Sequence, residues 1–131
     1  MHAPRIASDA RPGQFVMVRC GEGYEPLLRR PLSIHRVANK SQLALLFAAV
    51  GRGTERLSQM REGDAVDLLG PLGNGFSIYP ESGKLLLIAG GMGIAPMVFL
   101  AEDALARGYS VTMLLGAPTA DQFYPKDLLP S

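Results

Sequence analysis

Gly90-Gly91-Met92-Gly93-Ile94-Ala95-Pro96 directly follows the apolar run Lys84-Leu85-Leu86-Leu87-Ile88-Ala89. A buried strand, a glycine-rich turn and a helix start in that order bring bare backbone close to a ligand. Pro96 suits a first helical position, where no amide hydrogen is needed. Such a turn is built to receive a dinucleotide. It departs from the G-x-G-x-x-G fingerprint, because the residue three after Gly93 is Pro96 and not glycine.

Two earlier segments have the chemistry of an anion site. Arg29-Arg30-Pro31-Leu32-Ser33-Ile34 places a planar guanidinium and a hydroxyl in one strand, and Pro31 removes a ladder hydrogen bond there. A guanidinium suits phosphate, and backbone freed near Ser33 can bond the rim of a flat heteroaromatic ring. The plainer alternative is an edge strand with a solvated arginine. Gly51-Arg52-Gly53-Thr54 lies between an apolar strand and a helix, so successive amides and the helix N-terminus can cradle a second phosphate. Its plainer alternative is a turn with Thr54 as N-cap. Taken together the three segments agree on a ligand with a pyrophosphate and then a second dinucleotide.

Other residues point away from chemistry. Gly70-Pro71-Leu72-Gly73-Asn74-Gly75-Phe76 reads as a tight connection. His35 and His2 have no carboxylate or nucleophile in a visible pattern and read as structural or exposed. Ser33 lacks a nucleophile-elbow context, which disfavours a hydrolase. Tyr79, Tyr109 and Tyr124 are isolated and form no stacking array for single-stranded nucleic acid.

The elements that must position these segments fall into two styles. From residue 14 to about 79, short strands at Gln14 to Cys20, Leu28 to Val37, Gln42 to Val50, Ala65 to Leu69 and Phe76 to Tyr79 alternate with breakers. The breakers are Gly21-Glu22-Gly23, Ala38-Asn39-Lys40, Glu62-Gly63-Asp64 and the 70–75 turn, and a short helix is expected from Thr54 to Met60. This is the pattern of a small antiparallel β barrel. After residue 83 the pattern becomes strand 84–89, helix Pro96 to Arg107 capped by Gly108, and strand Ser110 to Leu115. That is a parallel βαβ unit, the start of an α/β domain. The expected division is 1–82 and 83–131. Strands as apolar as Leu85 to Ile88 and Val111 to Leu115 expect helices on both faces, so the second domain reads as cut short. Thr119 and Gln122 offer a weak capping box. Met1 to Pro12 shows little strand pattern, and the barrel reads as lacking its first strand.

Composition narrows the class. The 131 residues are 47% hydrophobic and 19% charged with net charge +1, ordinary for one globular unit and without the basic surplus that nucleic acid or an anionic membrane would favour. The longest apolar runs are strand-sized, and the N-terminus lacks a signal-peptide layout, so a cytoplasmic protein is expected. Cys20 is the sole cysteine, which excludes an intrachain disulfide and any cysteine cluster.

In order, Pro12-Gly13-Gln14-Phe15-Val16, Arg30-Pro31-Leu32-Ser33, Gly51-Arg52-Gly53-Thr54, Gly70 to Phe76 and Gly90 to Pro96 resemble the ferredoxin reductase-like flavoproteins. Within that family the chain looks most like the electron-transfer subunits of class B dihydroorotate dehydrogenases. The resemblance implies an FAD-binding barrel over 1–82, the first part of an NAD-binding α/β domain over 83–131, and a [2Fe-2S] segment whose four cysteines this chain lacks. By the same resemblance Arg30, Pro31, Leu32 and Ser33 would contact the flavin and its phosphates, and Gly53 and Thr54 would sit at the pyrophosphate. Phe47, Ala48 and Ala49 would lie along the flavin, and Gly90, Gly91, Gly93, Ile94 and Pro96 would face NAD(P). Relatives commonly carry Tyr-Arg at positions 47 and 48, so Phe47-Ala48 here removes a hydroxyl and a cation and would weaken flavin binding. The implied activity is a flavin-dependent NAD(P)H oxidoreductase component. It would pass electrons from a partner catalytic dehydrogenase, through the cluster and FAD, to NAD⁺, as in dihydroorotate oxidation in pyrimidine biosynthesis, without acid or base residues. Two alternatives stay open: a small subunit of a ferredoxin:NADP oxidoreductase or hydrogenase, and a non-catalytic fragment or binding module.

Overall fold

The computed structural model describes residues 1–21 and 28–131; the breaker read at Gly21-Glu22-Gly23 lies, beyond Gly21, outside them. Helix α1 (Pro4–Asp9) precedes strands β1 (Phe15–Arg19), β2 (Arg30–Ala38) and β3 (Gln42–Leu45), then helix α2 (Arg52–Ser58) and strand β4 (Asp67–Leu72). The four strands form one antiparallel sheet in the order β3-β2-β1-β4. Strand β5 (Lys84–Gly90), helix α3 (Ile94–Ala106) and strand β6 (Ser110–Gly116) follow, with β5 and β6 paired in parallel from Lys84↔Ser110 to Gly90↔Gly116. The antiparallel sheet followed by the βαβ start is the expected fold class.

The strands form where alternation puts every second side chain in the core. Val16 and Val18 of β1, Ile34 of β2 and Leu43 of β3 are sealed from solvent. Strand β2 pairs with β1 through Arg30 to Ser33 and with β3 from Ile34 to Ala38. A change of partners along one strand is how such a sheet turns its corner. A bulge marks the change, since Ile34 faces Leu45 while Arg36 faces Ala44, which leaves His35 as the extra residue.

That geometry explains three departures from the sequence pattern. The strand expected over Gln42 to Val50 stops at Leu45, because β2 has passed to β1 by Ser33 and offers Leu46 onward no ladder. Phe76 to Tyr79 forms no strand. The Phe76 amide donates to Pro12 O at 2.8 Å, its ring lies against Gly13 (φ +96°), and Gln14 Nε2 donates to Gly73 O at 3.0 Å. The 70–76 connection is thereby fastened to the turn before β1. Finally, Met1 to Ala3 pair locally with β3: Ala3 N donates to Ser41 O and Leu43 N to Met1 O, each at 2.8 Å.

Helix α3 is buried on two sides, consistent with its apolar residues all round. Leu100 and Ala101 pack on Leu87 of β5, and Val98 packs with Ala89 and Ile94, while Phe99 reaches the core of the antiparallel sheet. Leu85 and Val111 are half-buried; the outward residues of the parallel pair are Leu86, Ile88 and Leu114, at 59%, 68% and 53% exposure. Helix α3 ends at Ala106, one residue before expected, and Gly108 follows with a φ of +86° that suits a residue without Cβ. Among the described residues no helix is long and apolar enough to cross a membrane.

Candidate functional site

Of the paired arginines, only Arg30 is turned toward the glycine turn. Arg29 is held by β4, with Nη2 at 2.9 Å from Asp67 Oδ1 and Nη1 donating to Asp67 O at 3.1 Å. Arg30 opens β2 opposite Val18, and its Nη1 donates to Leu28 O at 2.6 Å. Gly53, buried in the first turn of α2, lies directly beneath it. A Cβ at position 53 would stand 2.9 Å from Arg30 Nε and 3.2 Å from its Cγ and Cζ. Only a hydrogen at that position lets the guanidinium rest on the helix start. Sequence reasoning joined these segments through a shared ligand; the fold brings them into contact directly.

The Arg30 charge is felt by its neighbour Cys20. Cys20 is buried nearby, and burial raises its thiol pKa while the Arg30 charge partly opposes that rise, so the residue remains a thiol. Thr54 is not the N-cap of α2; Gly51 is. The Thr54 hydroxyl accepts from Val50 N at 3.0 Å and Gly51 N at 3.2 Å and donates to Gly51 O at 3.2 Å, which shapes the turn and commits the side chain. The helix accordingly starts two residues earlier than expected. The leading amides of α2 lack intrahelical acceptors and suit an anion.

The remaining barrel residues divide by burial. Leu32 and Phe47 pack on the sheet core, Ser33 is half-buried opposite Phe15, and Pro31, Ala48 and Ala49 are exposed. Phe47 to Ala49 lead straight into Gly51.

A second open surface lies at the C-terminal ends of the parallel strands. Gly90 and Gly116 are register partners, and a Cβ at Gly90, Gly91, Gly93 or Gly116 would meet nothing within 4 Å. Gly91 has φ +54°, a left-handed conformation in which a larger residue is strained. Bare backbone beyond the carboxyl ends of parallel strands is where α/β sheets take ligands. Gly116 was missed by the sequence reading, although a glycine closing a strand equal in length to β5 is a usable signal. Ile94 and Ala95 point inward, at 6% and 4% exposure, so the open surface belongs to the glycines. Pro96 is the third residue of α3 and not the first, still within the turn whose amides lack intrahelical partners.

The two surfaces are joined by residues to which sequence spacing gave no function. His35 Nδ1 lies 2.8 Å from Ala95 O, and its Nε2 lies 3.0 Å from the Tyr124 hydroxyl, with the two rings edge-to-face at 5.5 Å. Tyr124, which reads as isolated in the sequence, is therefore partnered. Arg36 Nε pairs with Glu102 Oε1 of α3 at 2.9 Å, and Arg36 Nη2 donates to Leu128 O. Burial lowers the His35 pKa against its bond to Ala95, with the Arg36 charge adding to the lowering; burial raises that of Glu102 against the Arg36 charge. Among the described residues no group of three His, Cys, Asp or Glu side chains could hold a metal ion.

The chain is similar to known proteins in sequence and in fold. No family model matches the chain. It is 54% identical over 116 residues to the dihydroorotate dehydrogenase B (NAD(+)) electron transfer subunit of Desulforamulus reducens, covering 88% of this chain and 44% of that protein. Identity to the corresponding subunit of Geobacillus thermodenitrificans is 42% over 123 residues, covering 91% of this chain and 48% of that one. The solved structure of an NADH-dependent reduced ferredoxin-NADP oxidoreductase, studied for flavin-based electron bifurcation, superposes with TM-score 0.83 at 36% identity, over 96% of this chain and 45% of that one. The chain spans about half the length of the curated relatives it matches.

Proposed function

We propose that the chain is a ferredoxin reductase-like flavoprotein in which residues 1–82 bind FAD and residues 83–131 contribute to an NAD(H) site in an electron-transfer component, a reading its similarity to such proteins supports. The observation that carries this reading is Arg30 lying on the bare backbone of Gly53, which brings one guanidinium to the first turn of α2. That pairing fits a diphosphate, since a guanidinium and helix-start amides both favour an anion. Arg30 would hold the flavin phosphates, with Gly53 leaving room for its guanidinium at the start of α2. Leu32 and Phe47 support the strands on either side, while Ser33, Ala48 and Ala49 would border the ring. Thr54 keeps the turn in shape. Gly90, Gly91, Gly93 and Gly116 would admit the nicotinamide nucleotide to the sheet edge.

Bound FAD would supply the exchange between hydride transfer and single-electron steps. The residues of this chain bind and orient, and no side chain is assigned a proton transfer. The relatives' printed names favour a dihydroorotate dehydrogenase-type catalytic partner with NAD⁺ as electron acceptor. The likeness to a ferredoxin-NADP oxidoreductase favours, as a second reading, a subunit exchanging electrons with ferredoxin. A [2Fe-2S] relay would take its ligands from outside this chain, where Cys20 is the sole cysteine.

The test is titration of the purified chain with FAD, followed by its visible spectrum and flavin fluorescence. Near-equimolar uptake that is lost on Arg30→Ala supports the assignment. A chain that remains colourless with excess FAD refutes it.

A further inference from the structure

The seam between β2 and α3 contains a polar device that simple packing does not require. His35 is 7% exposed and is the buried polar side chain among the described residues, placed at the bulge where β2 changes partners. Bulges re-aim side chains, and this one sends an imidazole into α3 at Ala95, two residues past the last glycine of the 90–93 turn. The donor pattern is determined by chemistry. Ala95 O can only accept, so Nδ1 carries the proton, and Nε2 then accepts from the Tyr124 hydroxyl. Both ring nitrogens are satisfied, which offsets the cost of burying them. Arg36 and Glu102 make a second tie between the same two elements. Strand β2 also carries Arg30 and Ser33, so His35 links the strand of one open surface to the turn that forms the other.

We propose that His35 is a positioning residue: by fixing Ala95 against β2, it sets the distance and angle at which a nicotinamide on the glycine turn meets a flavin held by Arg30 and Ser33. The inference rests on the functional reading above. A histidine that merely filled space would act on stability alone. A positioning histidine acts on hydride transfer while flavin affinity stays the same.

The experiment compares the unsubstituted chain with His35→Leu, His35→Asn and Tyr124→Phe. The Asn side-chain amide can place a donor where Nδ1 stands; Leu cannot. All four are expected to bind FAD equally. Under anaerobic stopped flow, His35→Leu should be bleached by NADH about tenfold more slowly, in the range expected for a reactant displaced by a fraction of an ångström. It should also lose long-wavelength nicotinamide–flavin charge-transfer absorbance, and His35→Asn should recover most of both. Without any cofactor, hydrogen exchange of peptides covering 90–98 should be faster in His35→Leu than in His35→Asn. Equal bleaching and equal exchange in the Leu variant would overturn the proposal, as would an Asn variant as impaired as Leu. If His35→Leu does not fold, Tyr124→Phe decides, since it removes only the hydroxyl that orients the ring; unchanged bleaching and exchange there overturn it too. An unsubstituted chain that takes up no FAD, or takes it up and is not bleached by NADH, defeats the functional reading and this inference together. Normal behaviour of that chain with unaffected variants defeats this inference alone.

Discussion

Gly53 matters for what it lacks: a side chain there would occupy the place of the Arg30 guanidinium, at 2.9 Å from Nε. Because arginine is flexible, the contact can be relieved by swinging Arg30 away, so the damage should fall on anion binding more than on stability. Gly53→Val is expected to weaken FAD binding at least about tenfold, or ~1.4 kcal/mol, with little change in melting temperature. If both residues serve one site, Gly53→Val should add little on an Arg30→Ala background, a coupling read by a double-mutant cycle in FAD titrations. Additive losses would separate the two residues. His35 makes a second prediction. Its folded pKa is lowered by burial, so as pH falls below the ordinary value of about 6.5 the unfolded chain takes a proton that the folded chain resists, and stability declines. Stability from this group is therefore complete above that pH and lost toward the depressed folded value. Glu102, with a raised pKa, acts in the opposite sense as it protonates, and Arg36, Tyr124 and Asp127 share its surroundings. Urea unfolding at about pH 7.5 and about pH 5.5 should show a loss at the lower pH that is smaller in His35→Asn, where the Glu102 contribution cancels in the comparison.

At the scale of elements, β2 does three tasks along nine residues: it presents Arg30, changes partners at Ser33 and Ile34, and projects His35 at the bulge. The glycines at the ends of β5 and β6 form another element-level feature, since Gly90 and Gly116 are level with one another only because the parallel register runs unbroken from Lys84↔Ser110. A Cβ at Gly116 meets no protein atom within 4 Å, so Gly116→Val should leave the fold intact. It is expected to reduce flavin bleaching by NADH while FAD uptake is unchanged. Equal bleaching would remove the β6 end from the nucleotide site. The alternation of β1, the βαβ order and the cap at Gly108 were all legible as patterns of two and of 3.6 residues. The C-terminal end of β3 and the absence of a strand at Phe76 to Tyr79 were not, because they depend on which partner is available and on a hydrogen bond to Pro12.

At the scale of the whole molecule, Phe99 of α3 packs on the core of the antiparallel sheet, and Leu46 packs with Ala89, Ile94 and Val98. The two sheets thus share apolar contacts, and unfolding is expected to be one transition by both far-ultraviolet and near-ultraviolet circular dichroism. Phe99→Ala, at a half-buried site, should cost about 2 kcal/mol and lower the midpoint for both signals; two separated transitions in the unsubstituted chain would disprove this coupling. The sequence by itself determined the fold class, because glycine turns, apolar periodicity and the order of five motifs are local properties that survive without coordinates. It also singled out the glycine-rich segments proposed above to meet phosphate. Only the tertiary structure decided that Arg30 and not Arg29 rests on Gly53, that Ile94 turns inward, and that His35 meets Ala95 and Tyr124. The physical reason is range: propensity and patterning act over a few residues, whereas a bulge's direction and a guanidinium's resting place depend on contacts between residues far apart in the chain.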